Sequence, residues 1–180
     1  AAWGSDGRHR RELPAVAMLT ANGKHDSRAV VLASGHRNTS PRAGQPYGAI
    51  TWPEIFALAA TPGDVTKDRA RLVILSTYTE PDGRTHDVQR ERGTYWGLAV
   101  DVDTGNPSLD TVVAAVRGAI GDARALVYSS SGARADNRKW RVLVPLATPV
   151  AGADYADTQA ALFELMEAAG VACDVALARP

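Results

Sequence analysis

Hydrophobic and polar positions form their most regular pattern after residue 95. The segment YWGLAVDVD (95–103) is rich in aromatic and β-branched residues and predicts a strand. A helix capped by Ser108 follows, because apolar residues recur there at helical spacing. These residues are Leu109, Val112, Val113, Val116 and Ile120. The segments ALVYSS and KWRVLVPL predict two further strands.

A second amphipathic helix is expected before Gly170, which stops it. Its apolar stripe consists of Tyr155, Leu162, Leu165, Met166 and Ala169. The segment VACDVAL then predicts a last strand. The order β-α-β-β-α-β is that of the ferredoxin-like fold, in which helices cover one face of a four-stranded sheet. The fold class predicted for residues 95–180 is therefore α+β, with one sheet face left for ligands.

The first half of the chain predicts a smaller αβ unit over residues 1–94, with residues 1–13 as a flexible arm. The segment PAVAMLTANGKHDSRAVVLAS contains Asn22-Gly23 between two apolar runs and predicts a β-hairpin. In TWPEIFALAA, Thr51 and Glu54 have the spacing of a capping box and predict a helix start. RLVILSTY predicts a strand, and TEPDGRTHDVQRERG a polar loop.

Composition narrows the class of protein. The 180 residues suffice for one domain with a sizeable core, and 20 basic residues balance 20 acidic ones. Zero net charge means that any attraction to phosphates must come from a local basic patch. A single cysteine, Cys173, excludes an internal disulfide framework and favours a reducing compartment. We therefore expect a soluble cytoplasmic protein that does not associate with membranes.

Two carboxylates end the strand at 95–103. Because strand side chains alternate between faces, Leu98 and Val100 share the face that helices cover, whereas Asp101 and Asp103 share the other. Adjacent ionised carboxylates repel, and the pKa of one should be raised unless a cation neutralises the pair. Mg²⁺ or Mn²⁺, which prefer oxygen ligands, would do so. The alternative is a strand end that reaches water, with both acids solvated.

The third strand supplies cations in the same alternating pattern. If Trp140 and Val142 point to the helices, Lys139 and Arg141 point to the face of the acids. Cations beside a metal centre suit a triphosphate, which arginine can bind through two parallel hydrogen bonds. The alternative is a pair of surface cations whose aliphatic stems cover apolar surface.

Two further features are ambiguous from spacing alone. Asp174 in the last strand either joins the acids or is a solvated acid on an edge strand. The run from Ser129 to Ser131 before Gly132 either binds phosphate oxygens or is an ordinary turn.

Together, LAVDVDTG, LVYSSS and RKWRVLVPLATPV resemble the archaeo-eukaryotic primase superfamily. The resemblance is to the primase-polymerase domains of phages, plasmids and mobile elements, which are often fused to a helicase. It extends from about residue 50 to the end of the chain. It implies an RRM-like catalytic unit joined to an N-terminal αβ unit, within a domain cut from a longer protein.

Carried over to this sequence, the resemblance implies that Asp101, Asp103 and Asp174 bind catalytic Mg²⁺ or Mn²⁺. Lys139 and Arg141 match the basic strand positions of the family. Ser131 stands where the family normally has a phosphate-contacting histidine, and this departure bears directly on polymerising activity.

The resulting expectation is a DNA primase or primase-polymerase that joins NTPs or dNTPs on a single-stranded DNA template. Candidate template contacts are Arg134, Arg138 and the arm residues Arg8, Arg10 and Arg11. One alternative is a replication module that binds nucleotide or single-stranded DNA without catalysis. Another is a D-x-D glycosyltransferase, against which the strand order argues.

Overall fold

The computed structural model describes residues 16–19, 30–36, 45, 47–61, 65–66, 68–130 and 132–175. In this part of the chain the strands are β1 (Val16–Leu19), β2 (Val31–His36), β3 (Gly48–Thr51), β4 (Arg71–Ile74), β5 (Thr94–Val102), β6 (Ala125–Ser129) and β7 (Trp140–Ala151). The α-helices are α1 (Trp52–Ala60), α2 (His86–Arg92), α3 (Leu109–Ile120) and α4 (Gly152–Ala168). The predicted arm at residues 1–13 lies outside the described residues.

The strands form two antiparallel sheets, so the α+β class predicted from the sequence is confirmed. The larger sheet has the order β1-β6-β7-β5 and the smaller one the order β3-β2-β4. β1 pairs with β6, and β2 pairs with β3 and β4. The hairpin predicted around Asn22-Gly23 is therefore wrong, because its two apolar runs belong to different sheets. The dipeptide itself lies outside the described residues.

Local sequence signals set the helix starts correctly. At α1, Glu54 Oε2 accepts hydrogen bonds from the Thr51 backbone N–H at 2.7 Å and from its hydroxyl at 2.8 Å. At α3, the Ser108 hydroxyl accepts from the Thr111 N–H at 3.1 Å. These bonds satisfy donors at the start of each helix, where backbone N–H groups have no acceptor within the helix. Both predicted starts are confirmed.

Helices α3 and α4 cover one face of the larger sheet. α3 contacts β6 and α4, and α4 also contacts β5 and β7. Val100 and Val102 of β5 and Met166 of α4 are at most 1% exposed in the same core. Leu165, expected in that core, is instead 49% exposed. No helix among the described residues is long and apolar enough to cross a membrane.

The smaller sheet lies against the start of β5. Trp96 N–H donates to Leu75 O at 2.8 Å, and Thr77 N–H to Thr94 O at 3.0 Å. A Cβ on Gly97 would overlap the Trp52 ring, so glycine allows this close approach. Since β1 also joins the larger sheet, the two halves of the chain share one continuous core.

Two predicted elements differ in the structure. The polar loop at 79–93 contains a short 3₁₀ helix (Pro81–Arg84) and α2. The last strand is absent from residues 171–174. Their backbone contact with β5 is the hydrogen bond from Asp174 N–H to Asp101 O at 2.8 Å.

A buried glutamine explains the missing strand. Gln159 of α4 donates to Ala99 O at 2.6 Å and accepts from Ala99 N–H at 3.0 Å. A strand alongside β5 would need those same backbone groups. Gln159 therefore takes the position of a strand neighbour at the middle of this edge.

Candidate functional site

A row of three polar side chains crosses the larger sheet on the face away from α3 and α4. In the register of the strands, Arg141 of β7 lies opposite Asp101 of β5 on one side and Tyr128 of β6 on the other. Directly paired residues in a sheet share a face. Arg141 Nη2 donates to Asp101 Oδ2 at 2.9 Å, so these two members of the row are directly bonded.

A second ion pair lies just past the strand ends. Lys139 Nζ is 3.5 Å from Asp103 Oδ1, and the two side chains are 27% and 39% exposed. An ion pair with this much solvent contact contributes about 0–1 kcal/mol to stability. The structure thus brings together the two acids and the two cations singled out in the sequence, each acid opposite one cation.

Asp101 is the buried member of the group. It is only 7% exposed, and its Oδ1 has no hydrogen-bond partner among the described residues. Burial raises the pKa of Asp101, the charges of Asp103 and Asp174 raise it further, and Arg141 opposes the change without cancelling it. A buried carboxylate with an unpaired oxygen is unfavourable unless a cation or a donor reaches it.

Arg141 also has an unused atom. Its side chain is 43% exposed, yet its Nε is buried and has no acceptor among the described residues. Burial raises the pKa of the neighbouring Tyr128, and the positive charge of Arg141 opposes that rise. The Arg141–Asp101 contact is therefore a single hydrogen bond between two groups that can form two.

Asp174 lies beside this group at the outer edge of β5. Its N–H bonds the Asp101 carbonyl, and its charge acts on the Asp101 carboxylate, while its own side chain is exposed. The structure thus brings Asp174 near the acid pair, without the ladder of hydrogen bonds that a strand would supply.

Ser129, the first residue of the serine run, is not brought to the acids. Ser129 lies opposite Trp140 in the β6–β7 register, on the face opposite to Arg141, because neighbouring residues of a strand alternate. Tyr128 occupies the corresponding position on the site's face. Ser131 lies outside the described residues.

The loop between β6 and β7 extends beyond the site. Arg134 and Asn137 exchange two backbone hydrogen bonds, at 3.0 and 3.1 Å, and the Arg134 side chain is exposed. Arg138 N–H donates to Asn106 Oδ1 at 2.7 Å. This bond ties the loop to the turn that follows β5, so Arg134 and Arg138 lie beyond the acid pair.

One residue of the site, Tyr128, and one residue that supports β5, Gln159, were not anticipated from the sequence. Tyr128 needed the strand register, which no local pattern gives. Gln159 did leave a signal, since it is a polar residue one helical turn after Tyr155 in an apolar stripe. Tyr155 OH also donates to Gln159 Oε1 at 3.0 Å, so this buried amide has three polar contacts.

The oxygen ligands available suit a hard divalent cation. The carboxylates of Asp101 and Asp103 face the same side of the sheet, and Oδ1 of Asp101 is buried without a partner among the described residues. Within the ranges that the structure describes, no three His, Cys, Asp or Glu side chains form a metal-binding group. A cation here would thus take two protein carboxylates, with its other ligands coming from water or substrate, as Mg²⁺ commonly does.

No protein-family model matches this chain, and no curated protein or solved structure matches it either.

Proposed function

We propose that this chain is a DNA primase or primase-polymerase domain, a metal-dependent nucleotidyltransferase. One observation supports this most: Asp101 near the end of β5 and Asp103 just past it form ion pairs with Arg141 and Lys139, and the buried Oδ1 of Asp101 has no partner among the described residues. Acids for a metal and cations for phosphates on one sheet face are what phosphoryl-type transfer needs. The superfamily resemblance of LAVDVDTG and RKWRVLVPLATPV supplies the specific reaction.

In this proposal Asp101 and Asp103 hold Mg²⁺ or Mn²⁺. Such a cation, when bound there, would supply a positive charge that activates an attacking hydroxyl and offsets the charge of the triphosphate. Arg141 and Lys139 bind the phosphates of an incoming NTP or dNTP, since both lie one strand from the acids. Asp174 adds negative charge beside Asp101 and is the candidate for a third catalytic acid.

We further propose that residues 95–175 are an RRM-like unit. Support comes from the order β5-α3-β6-β7-α4 along the chain, with residues 171–174 beside the outer edge of β5. Across the sheet, the spatial order is β6-β7-β5, followed by the last segment. A split βαβ unit has the same arrangement of neighbouring strands. The strand β1 on the far side of β6 is an addition to that pattern.

The proposed template is single-stranded DNA in the cytoplasm, with a helicase as the expected partner. Arg134 and Arg138 are the candidate phosphate contacts, because the loop that bears them adjoins the turn after β5. With zero net charge and few such contacts, binding should be weak and should fall steeply with salt.

A second candidate function is nucleotide or single-stranded DNA binding without catalysis. It is favoured by the absence of histidine from YSSSGARADNRKW, where relatives have a phosphate-contacting one. It is also favoured by Arg141, whose Nη2 donates to Asp101 and so has one fewer N–H for a triphosphate.

Primer synthesis separates these functions. The assay uses single-stranded DNA, labelled NTPs or dNTPs and Mn²⁺, beside calorimetric titration of nucleotide with and without metal. Products mean a primase, whereas metal-dependent binding without products means a binding module. If the chain neither synthesises primers nor binds nucleotide, the proposal is wrong.

The critical variant replaces both Asp101 and Asp103 by Ala. Its matched control replaces Asp157 and Glu164 by Ala, two exposed acids on α4, and removes the same charge. We expect the first variant to lose metal-dependent nucleotide binding and the control to retain it.

A further inference from the structure

The ion pair between Asp101 and Arg141 is only half formed. An arginine opposite a carboxylate commonly makes two parallel N–H···O bonds. Here Nη2 bonds Oδ2 at 2.9 Å, whereas Arg141 Nε and Asp101 Oδ1 are buried and have no partner in the described part of the chain. Both unused atoms belong to groups with full formal charge.

The two unused atoms require opposite ligands. Oδ1 is an acceptor on an anion, so a cation or a donor would satisfy it. Nε–H is a donor on a cation, so a phosphate oxygen would satisfy it. In the neighbouring pair the carboxylate of Asp103 is 39% exposed, so water can solvate it, whereas Oδ1 of Asp101 is buried. The Asp101–Arg141 contact is therefore the one whose exchange matters.

We propose that Arg141 occupies Asp101 when the site is empty, so that divalent cation and triphosphate bind as a pair rather than independently. This inference rests on the proposed function. A cation arriving alone on Oδ1 would be repelled by the positive charge of Arg141 on Oδ2 and would weaken the bond between Arg141 and Asp101. A triphosphate arriving with the cation gives Arg141 a new hydrogen-bond acceptor, while the cation neutralises the carboxylate of Asp101 in place of Arg141.

The consequence is a reciprocal coupling. If nucleotide tightens metal binding by some factor, metal tightens nucleotide binding by the same factor. Tyr128 lies directly opposite Arg141 in the β6–β7 register and shares its sheet face, so its hydroxyl is a neighbouring polar group for the guanidinium.

The test titrates Mn²⁺ alone, and Mn²⁺ with a saturating non-hydrolysable nucleoside triphosphate, into wild type and Arg141→Met. In wild type we expect nucleotide to tighten Mn²⁺ binding at least about tenfold. In Arg141→Met we expect Mn²⁺ alone to bind more tightly than in wild type, and the tightening by nucleotide to fall below about threefold.

Two further variants keep the test decisive. Arg90→Met removes the same charge from an exposed position on α2 and should bind Mn²⁺ like wild type. Arg141→Lys keeps a cation but loses the planar fork, so it should fold even if Arg141→Met does not, and should show intermediate coupling. Thermal melts give a second readout, because Mn²⁺ alone should raise the Tm of Arg141→Met more than that of wild type.

The outcomes separate this inference from the proposed function. If wild type binds Mn²⁺ alone as tightly as with nucleotide, or if neither Arg141 variant changes the coupling, the exchange is wrong while the metal site remains. If no variant binds Mn²⁺ under either condition, both the exchange and the proposed function are wrong.

Discussion

Replacing Gln159 by Leu removes the side chain that takes the position of a strand neighbour on β5. Gln159 is fully buried, and its amide makes one hydrogen bond each to Ala99 O, Ala99 N–H and Tyr155 OH. Leucine has a similar volume, so the main effect is that three polar groups lose their partner. Each such loss costs about 1–3 kcal/mol; because Ala99 is only partly buried, we take the lower end and expect about 3 kcal/mol in total.

Urea unfolding of wild type and Gln159→Leu measures this loss directly. Glu164→Leu is the control, since Glu164 is exposed on the same helix and should change stability by no more than about 0.5 kcal/mol. Amide hydrogen exchange gives a local readout: the Ala99 amide should lose protection beyond the global change, whereas Leu98 and Val100 should not. Their amides alternate towards β7, so they do not depend on Gln159.

A loss below about 1 kcal/mol would refute the reasoning, because it would mean that water or a neighbouring group satisfies Ala99 and Tyr155 equally well. Retained protection at the Ala99 amide would lead to the same conclusion.

Three further predictions concern other positions. Gly152→Ala should destabilise by about 1–3 kcal/mol in thermal melts, because its Cβ would overlap Gln89 O, whereas Gly118→Ala, with open space around its Cβ, should be neutral or stabilising. Burial raises the pKa of the Cys173 thiol from 9.0 to about 11. Its reaction with a disulfide reagent at about pH 8 should therefore be roughly 100-fold slower than that of an unperturbed thiol, and should accelerate as the pH rises towards 11. A rate equal to that of an unperturbed thiol would contradict this. Burial raises the pKa of Asp101 above its unfolded value of 3.8, so the folded state binds that proton more tightly. This contribution to stability is present below pH 3.8 and is lost as the pH rises through the folded pKa. The free energy of unfolding of wild type, relative to Asp101→Asn in metal-free buffer, should therefore fall as the pH rises above 3.8, and parallel curves would contradict this.

Features that depend on near neighbours in the chain were predictable. The capping box of Thr51 and Glu54 and the cap at Ser108 follow from residues three apart or less. The faces of Asp101 and Asp103 follow from strand alternation, and so does the shared face of Lys139 and Arg141.

Features that depend on distant partners were not predictable. β1 pairs with β6 across more than a hundred residues, although a turn-like Asn22-Gly23 favours a local hairpin. The missing last strand depends on a hydrogen bond between residues sixty apart, from Ala99 to Gln159. Tyr128, rather than Ser129, lies on the face of the site because of the register between β6 and β7. That register is set by packing of the whole sheet and not by the sequence of β6 alone.

The proposal that Asp101 and Asp103 bind a divalent cation and Arg141 a triphosphate is best tested in crystals. These would be grown with Mn²⁺ and a non-hydrolysable nucleoside triphosphate, and the position of Mn²⁺ would be determined. Anomalous scattering identifies the metal without reference to activity. We predict a peak within coordination distance of both Asp101 and Asp103, with the Arg141 guanidinium on a phosphate oxygen instead of on Asp101. A peak bound elsewhere, or nucleotide bound while Arg141 stays on Asp101 and no metal contacts the two acids, would contradict the account.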